Sequence, residues 1–381
     1  MGNTELKSQK SYSPGLEGVI AGPSQISEID PRTDHLTYRG YDIHELTKYS
    51  VYEEVAYLLL FGTLPKKDEF KKFLNELILN RPIPQPLLEM FKQFPSSSHP
   101  MDLLRTGVSM LSVFDPDRTV HTHDANLKKA IRLIAQFPTL VAASFRLTRG
   151  EKVISPLSDG THAENFIYMM KGKRPDAEAT RIFDRTLMIY AEHGFNASTF
   201  SSRVTASTLS DMHSAITSGI GTLKGSLHGG ANEEAMKMIL EIGEPSKAKS
   251  WIDEALVQKR KIMGFGHREY KKGDPRARLL KPFAESLGKK MGQTKWMEIS
   301  EVIEKVMLKE KNLYPNVDFP AAVVFYLLGF PTEIYTPIFA LARIAGWSSH
   351  VIEQLDHNRL IRPECEYTGK RDEPYIPIEQ R

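Results

Sequence analysis

A chain of 381 residues with 41% hydrophobic and 25% charged residues has the balance of an ordinary globular protein, long enough for two or three domains. Its formal net charge of +3 gives no reason to expect nucleic acid or a membrane surface as a partner. One cysteine, Cys365, excludes an internal disulfide and a cysteine-rich metal site and points to a reducing, cytoplasmic setting.

The N-terminal stretch MGNTELKSQKSYSPG is polar, lacks the apolar core of a signal peptide, and reads as a short disordered leader. From Ile26 to Gly40 two short alternating stretches flank DPRTD, which predicts a small hairpin, the one persuasive strand signal in the chain. Helical spacing dominates beyond it. Phe70, Phe73, Leu74, Leu77 and Ile78 fall on one face of a helix. Leu127, Ile131, Ile134 and Ala135 do the same in a helix expected to run from Asn126 and stop at Pro138, with HTHD (121–124) as a polar loop before it rather than a metal site. Ala177 to Glu192 predicts another helix, closed by His193-Gly194. The longest apolar run, Ala321 to Phe330, is about half of the ~20 residues a spanning helix needs. Breaks such as GTLP, NRPIPQP and KGKRPD are short, and no Gly-, Ser- or Pro-rich linker divides the middle of the chain. The expectation is a mostly α protein of many closely connected helices, any second domain being an insertion, with an extended tail, EYTGKRDEPYIPIEQR, that can dock on a neighbour.

Familiar catalytic motifs fail. GFGHRE ends in Glu269 where a dinucleotide fingerprint requires a third glycine, GTLKGS lacks the order of a phosphate loop, and His44-Glu45 has no second histidine at zincin spacing. No G-x-S-x-G elbow exists. Three other stretches carry chemistry. In GSLHGGANEE, His228 lies either in a capping loop before a helix Ala231 to Ile242 or, glycine on both sides, where backbone approaches a ligand and the ring donates to a developing oxyanion. In IMGFGHREYKKGDPRARLL, His267 follows a glycine turn, with Arg268, Lys271, Lys272, Arg276 and Arg278 behind it. Pro275 and Asp274 mark a helix start there, which sets Arg276 against the positive end of the helix dipole and calls for an anion, a carboxylate or phosphate. In YPNVDFPAAVVFYLLGF, Asp318 stands before a helix that is apolar all round, as an N-cap, a desolvated general base, or both.

Arg343 interrupts an apolar stretch and so needs a partner, whereas Arg362, before Pro363, reads as exposed, and His350 and His357 read as structural. The residues alone describe a helical enzyme that handles a small polyanion.

Taken together these stretches resemble the citrate synthase family. GSLHGGANE, MGFGHREYKKGDPRA and YPNVDF stand in that family's order, supported by AEHGFNASTFSSRVTAST (191–208) and NRLIRPECEYTG (358–369), and the likeness runs from YRGYDIHEL to the tail. The resemblance implies an almost all-α homodimer in which a small domain, 229–324, closes over a large one formed by 1–228 and 325–381. It implies that Asp318 removes a proton from the methyl of acetyl-CoA, that His228 holds the resulting enol, and that His267 polarises the ketone of oxaloacetate. His193, Arg276 and Arg343 match residues that hold the oxaloacetate carboxylates, and Arg362 one that reaches across from the partner subunit. Arg268, Lys271 and Lys272 then face the phosphates of CoA, with no metal and no permanently bound cofactor. Two departures bear on substrate. Pro320-Ala321-Ala322 stands where many citrate synthases carry an aromatic or histidine and then a small residue; Phe319-Pro320 there and SDMHSAI (210–216) are reminiscent of some 2-methylcitrate synthases, which use propionyl-CoA, and Ser226 replaces a proline common in GPLHG. One methylene is worth about 1–3 kcal/mol of discrimination, so either acyl group remains open. A binding or assembly protein of the same fold and a metal-dependent lyase are the alternatives of other classes.

Overall fold

The computed structural model describes residues 13–30 and 32–381, so most of the expected leader, residues 1–12, lies outside the described residues. A three-stranded antiparallel sheet comes first: β1 (Ser27–Asp30), β2 (His35–Tyr38) and β3 (Tyr41–Asp42). Ile29 pairs with Leu36, and Thr37 lies between Glu28 and Asp42. The expected hairpin is therefore present, with a third strand of two residues that is too short to show a pattern.

The next helices are α1 (Ile43–Tyr49), α2 (Tyr52–Phe61), α3 (Lys67–Leu79), α4 (Gln85–Phe91) and α5 (Pro100–Phe114). Then come α6 (His123–Thr148), α7 (His162–Lys171), α8 (Ala177–Tyr190), α9 (Ala197–Ser207) and α10 (Met212–Leu223). The last group is α11 (Ala231–Ile242), α12 (Pro245–Val257), α13 (Pro275–Met291), α14 (Lys295–Lys311), α15 (Asp318–Leu327) and α16 (Tyr335–Asp356). The fold is mostly α, as the periodicity requires.

Two boundaries differ from the sequence reading. α6 starts at His123 because the Thr122 hydroxyl accepts from Ala125 N–H as an N-cap. His123 and Asp124 of HTHD thus belong to the first turn, and the His123 ring meets Asp356 at 2.8 Å. α6 also runs through Pro138 instead of stopping there. A proline inside a helix costs roughly 3 kcal/mol. Ile131, Leu133, Ile134, Phe137, Leu140 and Val141 are buried around it, and at about 1.5–3 kcal/mol each they outweigh that cost. Among the described residues α6 alone is long and apolar enough to cross a bilayer, and 78% of its apolar window is buried inside the protein.

α6 and α16 pack together through the centre, flanked by α5, α7, α9 and α10. α11 to α15 pack chiefly on one another, with α15 between α11 and α13. One apolar core, including Leu36, Leu140, Phe183, Met236, Phe325 and Trp347, runs through both groups. The groups meet where α11 touches α16 and α13 touches α8.

Candidate active site

At that meeting lies a cavity of about 790 Å³, lined among others by His193, His228, His267, Arg268, Arg276, Asp318 and Arg343. Seven of the ten residues singled out in the sequence are thus brought to one place.

Asp318 is the first residue of α15, and its backbone N–H donates to Asn316 Oδ1 at 3.1 Å. Val317 occupies the cap position, so Asp318 is not the N-cap of the sequence reading; its carboxylate turns away from the helix and accepts from the Tyr190 hydroxyl at 2.8 Å. Burial lifts its pKa from 3.8 to about 6, against the pull of Tyr190 and Arg276.

The loop bearing His267 is stitched to the segment before Asp318. Gly266 N–H donates to Tyr314 O, Asn316 N–H to Gly264 O, and the Asn316 amide to Gly266 O, all at 2.9–3.0 Å. Gly264 has φ +82° and a Cβ there would sit 2.8 Å from Phe319 Cβ, so only glycine fits. His267 Nδ1 accepts from the backbone N–H groups of Glu269 and Tyr270 at 3.1 and 3.2 Å. A backbone N–H can only donate, so the neutral ring carries its proton on Nε2, beside Arg276 Nη2 at 3.4 Å. Burial and the Arg276 charge hold the His267 pKa down to about 4.

His228 is fixed in the complementary sense. Ser198 N–H donates to its Nε2 at 3.3 Å and Ser198 Oγ lies 2.8 Å away, which leaves the ring proton on Nδ1. Burial, then the Arg343 charge, lowers its pKa to about 4, so it too is neutral at pH 7. Trp347 Nε1 donates to the same serine at 3.1 Å. His193, buried, places Nε2 3.1 Å from the Tyr270 hydroxyl and packs edge-on to His267 at 5.0 Å; burial and Arg276 keep it neutral.

Arg276 is buried and bidentate on Asp274, Nε to Oδ1 at 3.0 Å and Nη2 to Oδ2 at 2.8 Å. The anion that the sequence reading sought from a ligand at this helix start is thus in part the chain's own Asp274, which also accepts from Val317 N–H at 3.0 Å. Burial opposes the Arg276 charge, but the Asp274 pairing outweighs it and raises its pKa. Arg343 donates from Nε to Tyr190 O at 2.7 Å, and its Nη atoms have no protein acceptor among the described residues. Burial lowers its pKa to about 10 despite nearby Glu192.

Three expected residues do not reach the cavity. Lys271 and Lys272 are exposed, Lys271 donating to Arg268 O, and Arg362 is exposed in the tail. Lys261 lines the cavity and was missed for want of a motif around it. Also missed were Tyr190, Ser198 and Asn316, which hold Asp318 and His228; Asn316, two residues before Asp318, had a readable signal in its turn-forming side chain. His350, read as structural, is fully buried on Glu192 at 2.9 Å. No group of three metal-ligating side chains occurs among the described residues.

A cavity with two buried cationic guanidiniums, neutral imidazoles offering N–H donors and one buried carboxylate is the site of an enzyme that binds a small polyanion and moves a proton. The family model "Citrate synthase, C-terminal domain" matches residues 15–364, and the chain belongs to the citrate synthase family. It is 46% identical over 368 residues to "Citrate synthase 2" of Bacillus subtilis, covering 96% of this chain and 98% of that one. It is 42% identical over 381 residues to "2-methylcitrate synthase 1" of Corynebacterium glutamicum, covering 98% and 100%. The solved citrate synthase of Thermoplasma acidophilum, in ternary complex with carboxymethyl coenzyme A and oxaloacetate, superposes with TM-score 0.94 at 32% identity, over 98% of this chain and 100% of that one.

Proposed function

We propose that the chain condenses acetyl-CoA with oxaloacetate and water to give citrate and CoA. The observation that carries this reading is the cavity where Asp318, titrating near 6, faces neutral His228 and His267 whose free ring N–H groups are fixed by backbone donors on their other nitrogens. Asp318 takes a methyl proton of the thioester while His228 donates to the carbonyl oxygen as the enol forms. The enol carbon then bonds to the ketone carbon of oxaloacetate, whose oxygen is polarised by His267. Water cleaves the resulting citryl thioester, and CoA leaves as the thiol.

Arg276, Arg343 and His193 take the oxaloacetate carboxylates, which suits the unpartnered Nη atoms of Arg343. Residues 229–324 act as the small domain that closes over the rest, 1–228 with 325–381. Arg268, Lys271 and Lys272 meet the CoA phosphates, and Arg362 completes the site of a second subunit in a homodimer. The enzyme works in the cytoplasm and needs only its co-substrate, with no resident cofactor. The 42% identity to a 2-methylcitrate synthase favours a second reading, propionyl-CoA in place of acetyl-CoA.

The test is CoA release with oxaloacetate from acetyl-CoA and propionyl-CoA in parallel. Faster acetyl-CoA turnover is the expected result. Faster propionyl-CoA turnover selects the second reading, and release from neither leaves a binding protein of this fold.

A further inference from the structure

Tyr190 is the last residue of α8, 128 positions before Asp318 in the chain, and only the packing of α8 on the α11–α15 group brings them together. Its ring is 1% exposed and cannot swing: Phe339 meets it edge-on at 4.4 Å and Phe325 stacks at 6.3 Å. Its carbonyl accepts from Arg343 Nε, so the same residue is tied to a second group of the site through its backbone. We propose that Tyr190 is a positioning residue for the reaction, its hydroxyl donating to Asp318 Oδ1 so that the carboxylate stays ionised with Oδ2 turned to the substrate.

This rests on the reading of Asp318 as the base. The direction of the hydrogen bond follows from the surroundings. Burial, and then the neighbouring carboxylate, hold the phenol protonated well above its usual range, so it donates and never competes for the substrate proton. Asn232 of α11 has its Nδ2 buried without a hydrogen-bond partner, and the contact with Asp318 is the one hydrogen bond of the Tyr190 hydroxyl among the described residues. That leaves the hydroxyl hydrogen for Asp318. Oδ2 has no hydrogen-bond partner among the described residues, and Asp318 lines the cavity.

The charged groups facing the carboxylate are few. Arg276 of α13 and Arg343 of α16 favour its ionised form, and Asp274 from the loop before α13 opposes it. Glu233 of α11 is turned away to Thr336 and His99, and Glu333, just ahead of α16, pairs with Arg149. Both histidines across the cavity are neutral. Tyr190 is therefore the one direct donor to the carboxylate side chain among the described residues, and without it burial acts with only distant charges against it.

Tyr190→Phe keeps the ring and removes the donor. Losing one hydrogen bond to a charge should move the acid limb of kcat/KM up by about one to two pH units. At pH 6.5 the rate should fall roughly 3- to 25-fold, and above pH 9 it should return to within about threefold of the unaltered enzyme. Oxaloacetate affinity by calorimetry should stay within about twofold. A uniform loss at every pH with the limb unmoved, or no loss at all, overturns the proposal. Should Tyr190→Phe fail to fold, Tyr190→3-fluorotyrosine keeps the shape and gives a more acidic donor; the limb should then move down, and an unmoved limb overturns the proposal. Asp318→Asn run alongside separates the two readings, because turnover retained there removes Asp318 as the base whatever Tyr190 does.

Discussion

Asp318 carries opposite consequences for activity and stability. Its pKa is raised from 3.8 to about 6 because burial penalises the charge. Between these values the folded chain holds the proton more tightly than the unfolded chain. Stability from this group is present below pH 3.8 and lost as pH rises through 6, by roughly 3 kcal/mol for a shift of this size. A base, by contrast, gains activity over the same range. Asp318→Asn should therefore cut CoA release by about 10²- to 10⁴-fold, and thermal melts should show a gain at pH 8 that vanishes near pH 3.5. Calorimetry should find oxaloacetate binding largely intact; its loss would make Asp318 a structural residue. Asp318 was legible because a lone acid before an apolar helix is a local signal. The Tyr190 contact was not, since nothing local announces a partner 128 residues away. Arg276 sits between these cases: the conflict with the helix dipole was visible, but its resolution by Asp274 depends on a side-chain geometry that spacing does not specify.

At the scale of elements, local rules gave some boundaries and tertiary packing gave others. α11 and the start of α13 fall where glycine, proline and the Asp274 cap place them, because each signal acts within one turn. α6 does not stop at Pro138, because its burial against α5, α7 and α16 is a property of the whole core. The stitched loop before α13 can be probed directly. Gly264 and Gly62 share φ +82°, yet a Cβ at Gly264 meets Phe319 at 2.8 Å and one at Gly62 meets nothing within 4 Å. Each alanine pays about 1–2 kcal/mol for the left-handed backbone. Gly62→Ala should lower the melting temperature alone, whereas Gly264→Ala should lower it further and reduce kcat by displacing His267. Equal kinetics in the two variants would show that the stitching does not set the site.

For the whole molecule, the tail raises the question of a second subunit. Gln354 holds Arg359 O and Ser207 Oγ accepts from Ile361 N–H, but residues 362–381 are exposed, with Tyr375 and Ile378 at 84% and 71%. The extended tail was legible in its composition, which carries no helical period. Arg362→Ala should weaken oxaloacetate binding. Coexpressed with Asp318→Asn, it should regain turnover in mixed assemblies if the arginine acts across subunits; no regain would assign it to its own chain or to no site.

The backbone bonds that tie Gly264 and Gly266 to Tyr314 and Asn316 have one more consequence. They give His267 and Asp318 a common frame, so any tilt of the loop before α13 moves the two side chains together. With the roles proposed for the two side chains, this shared frame fixes which face of the ketone meets the new carbon–carbon bond, and hence the configuration of the citryl thioester, although citrate itself is achiral.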